Sequence, residues 1–188
     1  MRRVPIILCA ALLSATAMAA DAPAPLPPGI VLSSSSFADG GIIPAKYTSD
    51  SPTPVSPALS WINTPPGTVS FTLIMHDPDA APQKKLGGNL HWMAFNIPGT
   101  KTSLPEGIDA SPQLPDGTIQ AKTGSGKVGF AAPGARTAIH HYTFELFALD
   151  TKLALGPDAT RDDVHKAIDG HILGKGVVVG RFRRQLTQ

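Results

Sequence analysis

Acids and histidines gather at the ends of apolar stretches in this chain. Asp77 and Asp79 flank Pro78 in "IMHDPDAAP", where one apolar stretch ends. His91 opens the next stretch, "HWMAFNI", and His140 and His141 open a third, "HHYTFELFALD". A carboxylate beside an imidazole fixes its tautomer and favours its charged form, so such a pair can hold an anion or move a proton. Asp77 directly continues its strand and is the better of the two acids for turning inward. Asp and Pro also suit a plain strand-ending turn, because Asp bonds its own backbone and Pro fixes φ. If the three predicted strand ends lie side by side, these groups line a small polar pocket at the rim of a sheet.

Other chemistries find less support. His91, His140 and Asp77 would make a three-ligand zinc set, but no ligand spacing marks one, such as a His pair on one helical turn. No Ser sits in a Gly-x-Ser-x-Gly elbow, and the single cysteine, Cys9, lies in the N-terminal apolar run. A His–Asp pair could do acid–base work, yet no nucleophile accompanies it. "GSGKVG" at 124–129 lacks the spacing of a phosphate-binding loop and precedes no helix. No catalytic residue, metal or cofactor is therefore expected.

The elements that must position these groups are mostly strands. The 18 Gly, 19 Pro and 6% aromatics favour a turn-rich β protein over a helical bundle. Short strand candidates fall at Ile30–Ser34, Ile42–Pro44 and Ala58–Trp61. "VSFTLIMHD" alternates, with Val69, Phe71, Leu73 and Met75 on one face and Ser70, Thr72 and His76 on the other. His76 should thus face away from Asp77. "HWMAFNI" is apolar throughout, as in a central strand covered on both sides. In the third stretch Tyr142, Phe144, Leu146 and Ala148 share a face. Between these, 99–138 is long and rich in Gly and Pro, and a loop of that length in a compact domain is usually functional. One helix is predicted, capped by Thr160 with Asp163, with Val164, Ala167, Ile168, His171 and Ile172 on one stripe and a stop at Gly174. His165 is then a surface residue and His171 a packing residue. "GVVVGRF" reads as the last strand.

The 188 residues suit one domain. "MRR", a short apolar run and "AMAAD" read as a secretory signal peptide over 1–19, cleaved after Ala19 or Ala20, and not as a membrane anchor. A Pro-rich leader over 20–29 precedes a domain over 30–188, which would be periplasmic or secreted. Removing Arg2 and Arg3 takes Lys+Arg from 16 to 14 against 14 Asp+Glu, so the printed charge of +2 falls to about zero. No basic run beyond "RFRR" argues for a nucleic-acid partner.

Taken in order, "DPDAAP", "HWMAFNIPG", "GKVGF" with "HHYTFELFALD", and "GHILGKGVVVGRF" resemble the phosphatidylethanolamine-binding protein family, in particular its bacterial Raf-kinase-inhibitor-like branch. The likeness runs from about Ile30 to Arg184. It implies a mostly β, sandwich-like domain with a few helices and a small pocket that takes phosphate-like or carboxylate anions, including phospholipid head groups. By resemblance the pocket comprises Asp77, Pro78, Asp79, His91, Pro133, His140 and Tyr142, and such bacterial proteins often form homodimers. The loop before the last pocket histidine departs from the family pattern. It is "FAAPGARTAIH", with Pro133 alone, Phe130 where Tyr is usual and His141 where Arg is usual. Asn89 stands where an aromatic is common. The expected function is binding of a small anion, with regulation of a partner by that binding. The alternatives are a His–Asp hydrolase and a protease- or kinase-inhibitor-like protein with a vestigial pocket.

Overall fold

The computed structural model describes residues 28–81 and 88–184. The predicted signal peptide and most of the leader lie outside the described residues. Ten elements follow in order: β1 (Val31–Ser33), β2 (Gly41–Ile42), β3 (Leu59–Ile62), β4 (Ser70–Asp77), β5 (Asn89–Pro98), β6 (Ser103–Leu104), β7 (Ile119–Gln120), β8 (His140–Leu149), α1 (Arg161–Ile168) and β9 (Ile172–Phe182). A single 3-10 turn, Ala45–Tyr47, follows β2. The six-stranded sheet has the order β2-β9-β8-β4-β5-β7, and a three-stranded sheet has the order β1-β3-β6.

The two sheets pack face to face, and their inner surfaces make the main core. Trp61 of β3 meets Phe71 of β4 edge-on at 5.1 Å between ring centres, and Phe144, Leu146 and Val178 extend the same layer. The second face of the large sheet packs against α1, whose Val164 and Ile168 close over Ile74, Met93, Phe95 and Phe147. Burying apolar area on both faces contributes about 25 cal/mol per Å² removed from water. β4 and β5 are consequently buried on both sides. The alternation in β4 was expected to leave Ser70 and Thr72 on a wetter face, but both are fully buried. Ser70 donates its hydroxyl proton to the Thr151 carbonyl, which satisfies it there.

Other expectations also need correcting. The early strands are shifted or shorter, at Gly41–Ile42 and Leu59–Ile62. The Thr160–Asp163 capping box is present, but the helix ends at Ile168, with Asp169 as its cap and Gly170 at φ +80°. Gly reaches that left-handed conformation at little cost, so the chain turns there and not at Gly174. Ile172 and Gly174 belong to β9, and His171 is an exposed residue whose Nδ1 lies 2.7 Å from Asp150. The 99–138 segment contains β6 and β7 and two further isolated bridges.

One of the two register shifts in the β4–β5 pair bears on the site. Met75 pairs with Trp92 and His76 with Leu90, which leaves His91 as an extra residue in β5. Such a bulge turns neighbouring side chains to one face that simple alternation would separate. Leu90 packs on the helix side, whereas both Trp92 and His91 reach the inter-sheet side, where the His91 ring meets Tyr142 edge-on at 5.1 Å.

Candidate functional site

β4 ends at Asp77, and the antiparallel β8 begins beside it at His140. Asp77 is 3% exposed, too buried to carry its charge without partners. One carboxylate oxygen accepts the backbone N–H groups of Asp79 and Ala80, both at 3.0 Å. The other lies 2.7 Å from His140 Nδ1. The Asp77 charge also stands close enough to Tyr142 to raise the pKa of its hydroxyl. Asp77 is thus both the cap of the turn and the partner of an imidazole, so the plain-turn and functional readings describe one residue. Gly88 makes this turn possible: a Cβ there would stand 2.4 Å from the Asp77 carbonyl oxygen, and its φ is +64°.

Since the Asp77 carboxylate only accepts, His140 Nδ1 must carry a proton. The ring keeps an 18% exposed side chain, and its Nε2 has no partner among the described residues. His91 is different. Its Nδ1 donates to the Ala131 carbonyl at 2.8 Å, and its Nε2 accepts from the Asn89 carboxamide at 3.0 Å. Burial pushes the His91 pKa below the ordinary histidine value, so this ring is neutral with both nitrogens occupied.

Tyr142 is fully buried beneath the two imidazoles. Its oxygen accepts the Gly134 and Ala135 N–H groups at 3.2 and 3.1 Å. Burial, reinforced by the neighbouring Asp77 charge, pushes its pKa up to about 12, so it stays a neutral donor. Pro133 is buried behind this loop, where its carbonyl accepts the Ser49 N–H at 2.9 Å. Asp79 is half exposed and pairs with His141, through the backbone N–H at 2.6 Å and Nδ1 at 2.9 Å. Those two bonds hold its carboxyl below the usual range.

Of the residues expected in the pocket, Asp77, His140, His91 and Tyr142 come together. Pro133 lies behind them as scaffold and Asp79 sits on the rim with His141. Pro78 faces the opposite side of the sheet, where it lines a groove with His76. Sequence reasoning missed Asn89 as the partner of His91 and the loop backbone at Ala131, Gly134 and Ala135. The i, i+2 spacing of Asn89 and His91 was a usable signal for the first. Backbone donors and acceptors leave no mark in residue types. Among the described residues no group of His, Cys, Asp and Glu is arranged to hold a metal.

Comparison with known proteins places the chain in a family. The model of the phosphatidylethanolamine-binding protein family matches residues 33–183, and the chain belongs to that family. A UPF0098 protein of Methanothermobacter thermautotrophicus is 42% identical over 153 residues, which cover 81% of this chain and 98% of the relative. The crystal structure of CT736, a phosphatidylethanolamine-binding protein homolog from Chlamydia trachomatis, superposes with a TM-score of 0.75 at 30% identity, covering 84% of this chain and 99% of that one. E. coli YbcL, another solved member of the family, gives 0.70 at 27% identity, with 84% and 100% covered. None of these three names states an enzymatic activity. Among the described residues no helix is long and apolar enough to cross a membrane.

Proposed function

We propose that this protein binds a small anion at His140 and acts through that binding. The reading is supported above all by the buried Asp77 carboxylate on His140 Nδ1, which leaves Nε2 at the mouth of the pocket. In the neutral ring Nε2 is an acceptor, which an anion does not need. When the ring takes a second proton, Nε2 becomes a charged donor, and Asp77 compensates the charge from behind. Asp77 therefore faces the imidazole and not the ligand, which removes the repulsion expected between two anions in one pocket. His91 and Tyr142 support the floor: both are neutral and bonded within the protein, so they shape the pocket without supplying charge. A phosphate, a carboxylate or a phospholipid head group has the required chemistry.

The test is sulfate binding by calorimetry. Sulfate should bind more tightly at about pH 6 than at about pH 8, because only the doubly protonated ring offers a donor at Nε2. His140→Gln should remove that binding. Equal affinity at both pH values, or full binding by the variant, contradicts the proposal. A protein exported by its N-terminal signal would meet such ligands outside the cytoplasm. N-terminal sequencing of exported protein should find Ala20 or Asp21 first, and an intact Met1 would overturn export. Pairing as a homodimer, the habit of bacterial relatives, is checked by sedimentation across a concentration series.

A further inference from the structure

On the face opposite the pocket, the N-terminal turn of α1 overhangs β4 and β8 and leaves a groove of about 440 Å³. Its charged and titratable lining is His76, Glu145, Arg161, Asp162 and His165, and Ile74 and Pro78 supply apolar wall. That volume is in the range of small-molecule sites, which run from roughly 300 to 1,000 Å³. We propose that this groove is a second, independent binding site, for a small organic anion whose carboxylate or phosphate pairs with Arg161 and whose apolar part lies along Ile74 and Pro78.

The charges present favour an anion. Glu145 is already neutralised: Lys175 bonds one of its oxygens, and His76 Nδ1 stands 3.5 Å from the other. Its side chain is 18% exposed, so this acid belongs to the floor of the groove. Asp163 is used in the capping box, accepting from the Thr160 backbone N–H at 2.9 Å. Arg161 is half-buried, and among the described residues it has no carboxylate or carbonyl partner. Asp162 is its chain neighbour and borders the groove, but it is exposed, and adjacent residues on a helix do not face one another. A guanidinium held at the wall of a groove is well shaped for a planar oxyanion, which it can take with two parallel N–H bonds. His165 lies one turn further along α1 and adds a second donor. The site is built from side chains: the capping box has already claimed the Asp163 amide of the helix end, with Thr160 Oγ1 at 3.2 Å.

His76 reports on this groove. Burial pushes its pKa below the ordinary value, Glu145 of β8 opposes that, and Arg161 and His165 of α1 with Lys175 of β9 lower it further. An anion at Arg161 would cancel part of that positive field, so its arrival should be visible at the His76 ring.

The experiment follows the imidazole resonances by NMR while hexanoate, and separately acetate, is titrated at constant ionic strength. Hexanoate should shift His76 and His165 saturably and bind several-fold more tightly than acetate. Arg161→Gln should weaken hexanoate about tenfold or more, the loss expected for a charge-assisted contact. His165→Gln should weaken it less, Asp162→Asn should tighten it, and His140→Gln should leave it unchanged. Asp162 and His165 are exposed, so their substitution should leave the fold intact, and a thermal melt of each variant checks it. Absence of saturation, undiminished binding by Arg161→Gln, weaker binding by Asp162→Asn, or loss of the His76 response in His140→Gln would each overturn the second site.

Discussion

His76 and Asp77 are neighbours at the end of one strand, yet they serve two different surfaces. Asp77 points between the sheets, where its carboxylate holds two backbone amides and His140 Nδ1, Tyr142 beside it accepts two more amides, and among the described residues His140 Nε2 is left open. His76 points to the helix side, where Arg161 and His165 line an open groove and their side chains have no hydrogen-bond partner among the described residues. The difference lies in what covers each face. A sheet covers the first, and burial there favours pairing of polar groups. A short helix covers only part of the second, so its rim stays wet and its charges need not be paired internally. His91, buried between the sheets with both nitrogens bonded, thus stays neutral, whereas His76 in the groove responds to whatever enters.

The sharpest way to break this contrast is to remove Asp77. Asp77→Ala leaves the His140 ring and two backbone amides without their acceptor, and should cost about 3–5 kcal/mol in a denaturant melt. Asp77→Asn retains the amide acceptor but not the charge, and should cost about 1–3 kcal/mol. Burial makes both figures larger than a surface turn would give. Tyr142→Phe strands the Gly134 and Ala135 amides, and about 1–3 kcal/mol is expected. If Asp77→Asn melts like wild type and still binds sulfate, the buried pair has no role.

A subtler effect concerns pH. His91 and His76 both have pKa values below that of an unfolded histidine. The unfolded chain therefore binds more protons below about pH 6.5, so their stabilisation is present above that point and is lost as pH falls through the folded values. The melting midpoint should drop between about pH 6.5 and 5, and His91→Gln should flatten that slope because glutamine cannot titrate. The smallest change sharpens the separation of the faces. His76→Gln should alter sulfate binding at His140 by less than about twofold, as sites without shared partners are nearly additive.

Much of the site was legible in the chain. The strands over "VSFTLIMHD" and "HHYTFELFALD" followed from alternation, and an acid and a histidine at their ends became neighbours once β4 and β8 paired. Tyr142 was legible as an inward residue by its parity with Phe144. Its hydroxyl, however, is held by the loop amides of Gly134 and Ala135, which no spacing encodes. The bulge at His91 was hidden too, because an extra residue in one strand shows only against its partner. Sequence periodicity carried the helix past its end, since Ile172 continues the apolar stripe by chance of register while Gly170 breaks the backbone. The groove was invisible for a further reason: Arg161 and His165 lie some 85 residues along the chain from His76, and only the packing of α1 brings them to it.

The central claim is that His140 receives an anion in its doubly protonated form with Asp77 behind it. Sulfate calorimetry near pH 7 in two buffers of different ionisation enthalpy tests it most directly, and an Arg161→Gln background keeps the groove silent. The observed enthalpy should differ between buffers by an amount reporting uptake of a fraction of a proton, up to about one per sulfate, and the difference should vanish with His140→Gln. Identical enthalpies in the two buffers, with binding intact, would contradict the account and assign the anion to neutral donors.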